Sequence, residues 1–346
     1  MKSGKILVTG GAGYIGSHTI IELAQSSVHQ IISADNYCNS SAETFDRIEK
    51  ITRQKVKNYN IDLCDELSVK EVFRQNTDII GVIHFAALKS VPDSVANQEL
   101  YYHNNNQSLQ NILNCLKEFN VGNFIFSSSC SVYGNIDKLP VNENTPLGKS
   151  ESPYAETKQM GEKMIRDFSE KNREIKSIVL RYFNPVGAHV SGLIGESPIN
   201  HPTNLGPLIT RTATGKQKEL IVFGNDYKTR DGTCVRDYVH VSDIAQAHIL
   251  ALNFLIESKN KNNFDVFNLG TGSGVSVLEA IKAFEKVSGK NLNYKIGKRR
   301  EGDVEAIYSD IKKAKEVLGW EPKYNIDQMM ESAWKWQLNC DGMAHL

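Results

Sequence analysis

The chain has no long apolar stretch. Its longest such runs, residues 79–88 and 249–256, are broken by Gly81 and His84 and by Asn253, and both fall far short of the roughly 20 residues that cross a bilayer. Behind Lys5 the amino terminus offers only Ile6-Leu7-Val8 before Thr9-Gly10-Gly11, too little for the about 7–15 apolar residues of a secretion signal. A charge surplus is also missing, since 40 Lys and Arg balance 40 Asp and Glu. Nucleic-acid backbones draw proteins through a cationic excess that displaces counterions, so neither a nucleic-acid nor a membrane partner is expected. The six cysteines, at 38, 64, 115, 130, 234 and 340, form no C-x-x-C pair. That pattern suits free thiols in a reducing cytosol rather than a disulfide framework. Metal-ligand spacing is absent too, and His18, His29 and His84 read as structural. With 40% hydrophobic and 23% charged residues, what remains is a folded chain rather than a disordered one.

At 346 residues the chain exceeds twice the roughly 150 of an ordinary domain, which predicts two lobes or one enlarged α/β domain. Short apolar runs alternate with helical patterns. Ile6-Leu7-Val8, residues 31–34, residues 82–85, Phe124-Ile125-Phe126 and Ile178-Val179-Leu180 read as strands, with helices over residues 17–25 and 105–118 and from about Ser152. Parallel neighbours need crossover helices, so the pattern predicts an α/β, doubly wound parallel sheet of Rossmann type. After Asn184 the character changes. Pro185, Pro198, Pro202 and Pro207 fall among many Gly, Asn and Thr residues, and apolar segments such as residues 220–223 make this a loop-rich lobe rather than a linker. Residues 241–255 read as a helix returning to the first lobe and residues 267–269 as one more strand. The expected division is a cofactor domain over 1–184, joined by parts of 240–270, and a second, sequence-interleaved lobe built mainly from 185–346.

After the first strand comes Gly10-Gly11-Ala12-Gly13-Tyr14-Ile15-Gly16. Glycines permit a sharp turn and let a pyrophosphate approach the start of a helix, where unpaired N–H groups and the positive dipole end meet it. A glycine triplet alone is weak evidence, because tight turns need glycine anyway. Here a strand precedes it, a helix follows, and Asp35 lies 19 residues past Gly16, close to the roughly 20 expected of the acid that binds a ribose 2′-hydroxyl. That carboxylate would repel a 2′-phosphate, which favours NAD over NADP. Further on, Ser152 is a suitable N-cap and Pro153 a suitable first helical residue, and the helix they open carries Tyr154 and Lys158 one turn apart on one face. A tyrosine of pKa about 10 is a poor base at neutral pH; bringing it about three pH units lower needs roughly 4 kcal/mol, which a neighbouring ammonium and an oxidised nicotinamide could supply. Ser127-Ser128-Ser129 ends the strand before it, where open α/β sheets place ligands, and a hydroxyl there can bond the oxygen that Tyr154 deprotonates. Y-x-x-x-K by itself usually marks an ordinary helix face; the ordered set of glycine turn, acid, strand-end serine and Tyr/Lys is specific.

With that set in place, the sequence resembles the extended short-chain dehydrogenase/reductase family, and within it the branch that inverts C4 of UDP-hexoses. The resemblance runs along nearly the whole chain, through His84-Phe85-Ala86-Ala87-Leu88-Lys89, Tyr101-Tyr102 with Asn104-Asn105, Val132-Tyr133-Gly134, residues 180–188, Gly224-Asn225-Asp226-Tyr227, Val235-Arg236-Asp237-Tyr238 and Arg299-Arg300-Glu301-Gly302-Asp303. It implies Tyr154, Lys158 and Ser129 as catalytic residues. NAD would be held by Gly10, Gly13, Tyr14, Ile15 and Gly16, by Asp35, Asn36, Tyr37, Cys38, Asn39 and Ser40, by Asp62 and Leu63, and by Phe85, Ala86, Ala87, Lys89, Asn104 and Phe183, besides the catalytic three. A UDP-sugar would meet Ser129, Tyr154, Asn184, Asn204, Leu205, Val222, Phe223, Arg236, Tyr238, Arg300, Asp303 and Ile307. Arginines pair with a diphosphate through parallel donors; Arg300 is expected to do so and Arg299 to stand by. The implied reaction is reversible C4 epimerisation of UDP-glucose and UDP-galactose through a transient 4-keto sugar with retained NAD, in a homodimer.

Two rivals share parts of this pattern. A nucleotide-sugar 4,6-dehydratase needs an extra acid and base, and that family carries Thr-Asp-Glu where this chain has Ser129-Cys130-Ser131. A non-enzymatic dinucleotide sensor would have no use for Tyr154, Lys158 and Ser129 together. Within the epimerase reading, the wall position four residues past Asp303 is Ile307, intermediate between a large aromatic that would crowd an N-acetyl group and a small residue that would admit one. UDP-glucose and UDP-galactose are therefore expected as the main pair, with UDP-GlcNAc and UDP-GalNAc as the alternative.

Overall fold

The computed structural model describes residues 4–300 and 303–343. The chain opens with β1 (Lys5–Thr9), α1 (Tyr14–Ser26), β2 (Gln30–Ala34), α2 (Glu43–Thr52), β3 (Lys57–Tyr59) and α3 (Glu66–Gln75). It continues through β4 (Ile79–His84), α4 (Val91–Ala96), α5 (Gln98–Glu118), β5 (Asn123–Ser129), a 3₁₀ turn (Cys130–Tyr133), α6 (Pro153–Lys171), β6 (Lys176–Tyr182) and β7 (Asn184–Val186). Then come α7 (Leu205–Ala213), β8 (Leu220–Phe223), β9 (Val235–Arg236), β10 (Tyr238–His240), α8 (Val241–Ile256) and β11 (Phe264–Leu269). The last elements are β12 (Val275–Ser276), α9 (Val277–Ser288), β13 (Tyr294–Gly297), β14 (Ala306–Ile307), a π-helical turn (Ala314–Leu318) and α10 (Ile326–Cys340).

Seven parallel strands form one sheet in the order β11-β6-β5-β4-β1-β2-β3, the Rossmann-type arrangement that the alternating pattern predicts. Helices cover both faces, which explains why the strands read as unbroken apolar runs rather than alternating ones. Successive side chains go to opposite layers. Ile6 and Val8 join the core under α1 and α8, with Ile20, Ile21 and Leu252; Leu7 joins the core under α3 and α5, with Val69, Leu109 and Ile112. Order reverses at β1, which has β4 on one side and β2 on the other. The loops after β1 and β4 therefore part at the sheet's carboxyl edge, where ligands bind in open α/β sheets.

The loop-rich stretch after Asn184 holds more order than its composition suggests. It contributes β7, α7, β8 and β9, each too short to show a periodicity. Pro207 sits in the first turn of α7, where a missing N–H does no harm. With α9 and α10 these elements enclose a separate core of Val186, Ile209, Leu220, Ala280, Phe284 and Met330. The chain then returns, and β11 completes the large sheet beside β6. All six cysteines are unpaired. Among the described residues no helix is long and apolar enough to cross a membrane, and no group of His, Cys, Asp and Glu is placed to hold a metal.

Beneath the sheet's carboxyl edge lies a buried ion pair. Arg181 on β6 donates to both oxygens of Glu162 on α6, at 2.9 and 2.5 Å, and its remaining arm reaches the Tyr133 hydroxyl at 3.0 Å. Ser128 donates to the same carboxylate at 2.6 Å. Both charged side chains are almost wholly buried, so losing one strands the other. Glu162→Ala is expected to cost about 3–5 kcal/mol in urea unfolding, and a loss below about 1 kcal/mol would show that the pair is not needed.

Candidate active site

The groove starts at the turn after β1. Gly10 has φ +69, and a Cβ on it would lie 2.8 Å from the Ala86 backbone nitrogen; a Cβ on Gly16 would collide with the Gly10 carbonyl. Both positions need glycine for packing as well as for any ligand. Gly13 caps α1 without a side chain to bond the first-turn N–H groups, and Tyr14, Ile15 and Gly16 line the groove behind it. At the tip of β2, Asp35 accepts from the backbone nitrogens of Ala12 at 2.9 Å and Tyr37 at 2.8 Å and from Ser40 Oγ at 3.0 Å. Those donors fix its carboxylate between the glycine turn and residues 36–40. Across from them stand Asp62, Leu63, Ala86, Ala87, Lys89 and Asn104. An uncapped helix start with an anion-accepting character, a fixed carboxylate and a long cleft form a donor set that fits a dinucleotide.

Helix α6 enters the same groove. Ser152 Oγ accepts from Ala155 N at 3.2 Å and Pro153 takes the first turn, as the sequence predicts, and this cap fixes where Tyr154 emerges. Tyr154 and Lys158 both line the groove and both are buried. Lys158 Nζ donates to the Ser127 carbonyl at 2.8 Å and lies 5.9 Å from the Tyr154 ring centroid. Burial brings the lysine down to about 8, with Glu162 one turn further along opposing it. The expected lowering of the tyrosine pKa relied on Lys158 and an oxidised nicotinamide together, and the polypeptide alone works against it. Burial pushes its phenol well above the ordinary value and Tyr182 adds to this, while a hydrogen bond with Ser129 pulls the other way. Desolvation penalises the phenolate more than this polypeptide repays.

One positioning residue escaped attention as such. Asn105 on α5 binds Leu88 through both ends of its amide, at 2.8 and 3.0 Å, and also reaches Thr157 Oγ1 at 3.0 Å. It ties the loop after β4 to α6, and its place in the Asn104-Asn105 pair was the available signal. The segment 194–199 also lines the groove, as does Arg47. Neither carries a motif; only folding brings them there.

The second lobe gathers the remaining predicted residues. Arg236 on β9 and Arg300 both approach Asp303, at 3.6 and 2.7 Å, and Arg300 lies over the Phe223 ring at 5.4 Å. Glu301 and Gly302 of that segment lie outside the described residues. Arg299 pairs instead with Asp226 at 2.8 Å and covers Tyr227, away from this group. Asp237 anchors the arrangement from below, accepting from Thr271 N, Gly272 N and Ser309 N at 2.7–3.2 Å. Asn184 keeps a buried side-chain oxygen without a partner, and Asn204, just before α7, makes no side-chain cap bond and instead donates its amide to Glu196 at 2.8 Å. Leu205 begins α7, and Ile307 packs with Val132, Tyr133, Val141 and Phe183.

Four of the expected contact residues have side chains engaged within the protein. Val222 and Tyr238 belong to the second lobe's core with Val186 and Ile209, because β8 and β10 turn those positions inward. Phe183 is buried among Val132, Tyr133 and Ile307. Tyr37, at φ +60, directs its hydroxyl to Asn58 at 2.8 Å and its ring onto Phe45, so its backbone rather than its ring serves Asp35. The family resemblance carried these four, and an engaged side chain does not bar the backbone of each residue from meeting a ligand.

A profile of the family described as GDP-mannose 4,6 dehydratase matches residues 7–333. The chain is 48% identical over 332 residues to the UDP-glucose 4-epimerase of Bacillus subtilis, covering 96% of each. It is 44% identical over 347 residues to that of Drosophila melanogaster, covering 98% of each. Among solved structures it is similar to UDP-glucose 4-epimerase from Bifidobacterium longum in complex with NAD+ and UDP, with a TM-score of 0.92, 45% identity, and 98% of this chain and 99% of that one covered. A Stenotrophomonas maltophila UDP-glucose 4-epimerase with bound NAD gives a TM-score of 0.94 at 41% identity, covering 98% and 99%. Full-length identity at this level, joined to the groove and the α6 cluster, places the chain: it belongs to the UDP-glucose 4-epimerase family of the extended short-chain dehydrogenase/reductases.

Proposed function

We propose that the chain interconverts UDP-glucose and UDP-galactose by inverting C4 of the hexose, with NAD as resident cofactor and a 4-keto sugar as the passing species. One observation carries this reading: a buried phenol, a buried amine and a serine hydroxyl converge where α6 meets the dinucleotide groove. NAD, when bound, would supply the hydride acceptor and donor for C4 and, while oxidised, a positive ring charge. Gly10, Gly13, Tyr14, Ile15, Gly16, Asp35, Asn36, Cys38, Asn39, Ser40, Asp62, Leu63, Phe85, Ala86, Ala87, Lys89 and Asn104 would hold it. Asp35 discriminates against a 2′-phosphate by like charge.

The chain's own residues do the proton work. Tyr154 takes the 4-hydroxyl proton as its phenolate and returns it after the sugar has turned. Ser129 bonds the same oxygen and steadies both protonation states. Lys158, its amine anchored on the Ser127 carbonyl, stabilises the phenolate through the field of its positive charge. Arg236 and Arg300 would neutralise the diphosphate, Asp303 would accept from ribose hydroxyls, and Asn184, Asn204, Leu205, Phe223 and Ile307 would complete the pocket. A firm grip on UDP and a loose one on the hexose let the keto sugar present either face.

The dehydratase alternative gains nothing from the structure. Burial pushes the Cys130 thiol up to about 12, which makes it a poor acid and a poor base near neutrality. A homodimer rests on the family resemblance. A cytosolic location is supported by the unpaired thiols.

Purified protein given UDP-galactose is expected to yield UDP-glucose, with NAD released on denaturation. Tyr154→Phe should lower kcat at least about a hundredfold with bound NAD and melting temperature unchanged; turnover within a few-fold of wild type would remove the phenol from the reaction. In Lys158→Met the phenol loses a stabilising cation, so its pKa rises. Activity should fall at neutral pH and partly recover as pH increases; a pH profile of unchanged shape argues against that role.

Ile307 is buried against Val132, Tyr133, Val141 and Phe183, and its side chain takes more room than a small residue there would. kcat/KM for UDP-galactose is expected to exceed that for UDP-GalNAc, and Ile307→Ala should narrow the gap. Equal efficiencies in the wild type would contradict this ranking.

A further inference from the structure

The wall of the dinucleotide groove opposite the glycine turn comes from the second lobe. Residues 194–199 line the groove together with Gly13, Asp35 and Tyr154. They leave a short bridge between Ala188 and Gly195, with Ile194 buried in the core under α1 and α8. Gly195 lies flat on the indole of Trp336 from α10, so close that a Cβ would stand 2.5 Å from two ring atoms. The indole Nε1 donates to the Glu196 carbonyl at 2.9 Å. Two contacts then reach the first lobe. Lys89, from the loop after β4, pairs with the Glu196 carboxylate at 3.3 Å, and Arg47 on α2 lies over the Trp336 ring at 5.0 Å. Lys89 and Arg47 themselves line the groove.

We propose that residues 194–199 form a strap across the dinucleotide groove, clasped to the first lobe through Glu196–Lys89 and Trp336–Arg47, and that this clasp governs how fast NAD leaves. The inference rests on NAD occupying that groove. Neither contact binds a motif-defined part of the cofactor. Each joins two walls that must separate before a long ligand can withdraw. The two partly exposed pairs are individually weak, whereas the part-buried indole hydrogen bond and the close packing of Gly195 on the ring hold the strap's shape. Trp336 thus serves as a positioning residue, remote from C4 chemistry, whose ring is shared by strap and first lobe. The device suits a reaction whose intermediate would be lost if the reduced cofactor escaped between the two halves of a turnover.

The test follows NAD itself. Protein loaded with radiolabelled NAD is chased with excess unlabelled NAD, and label remaining with the protein is measured over time. Trp336→Phe keeps a ring but loses the indole donor; Glu196→Gln removes the ion pair; Arg47→Ala, on a partly exposed helix face, removes the cation without touching the core. The Glu196→Gln/Trp336→Phe double variant is expected to release label at least about tenfold faster than wild type, and each single variant severalfold faster, with unchanged far-UV circular dichroism. If the double variant does not fold, Arg47→Ala and Glu196→Gln decide by the same readout. Release at the wild-type rate from folded variants overturns the clasp while leaving the proposed epimerase activity intact, provided the wild type holds label and converts UDP-galactose. A wild type that holds no label overturns the clasp and the cofactor assignment together.

Discussion

Everything the site can do depends on the cost of ionising a phenol that the fold has removed from water. Tyr154 is buried, and the polypeptide alone makes its anion harder to form than in solution. Its partner Lys158 is also buried, and burial brings its amine down to about 8 against the opposing charge of Glu162. Each group is unfavourable in isolation. Brought together with a serine and a cationic ring they relieve one another, and an anion beside a cation in a dry setting interacts more strongly than the same pair in water. The site is therefore arranged to be costly until it is filled, which confines the reactive phenolate to the loaded protein.

The support beneath that pair is an array of charges in strict succession. Tyr154, Lys158 and Glu162 follow one another at intervals of one helical turn, and Arg181 answers the last of them from the adjacent strand. Glu162 opposes the burial that weakens the lysine, yet it shares its own charge with Arg181, so it does not hold the lysine fully charged. The balance is set by a side chain on β6 that is distant from any sugar. A substitution there alters proton affinity two positions along the chain of contacts, through electrostatics rather than through contact with the reacting atoms.

What could be read in the residues before folding was whatever local order encodes. The turn of Gly10 to Gly16, the placement of Asp35 and the cap at Ser152 each follow from neighbours within about 20 residues, and the parallel sheet follows from alternating runs. Legibility failed where position depends on distant chain. Val222 and Tyr238 were expected at the sugar pocket by resemblance alone, and only the folded chain shows that their side chains pack into the second lobe's core. Arg47 and Trp336 meet across nearly the whole length of the sequence, and no pattern at either place announces the other. Spacing likewise reveals the ammonium beside the phenol but not the depth at which both are buried.

The placement of β11 has a bearing on how such a protein is made. The large sheet lacks its edge until Phe264–Leu269 has been synthesised, and α8, which covers the layer beside α1, precedes that strand only slightly. A nascent chain that has exported all of β1 to β6 still has an unpaired outer strand and a bare hydrophobic flank, exposed while some 80 further residues are translated. At ribosomal speed that is several seconds or more, an interval during which this fold would look to a chaperone like an unfinished client.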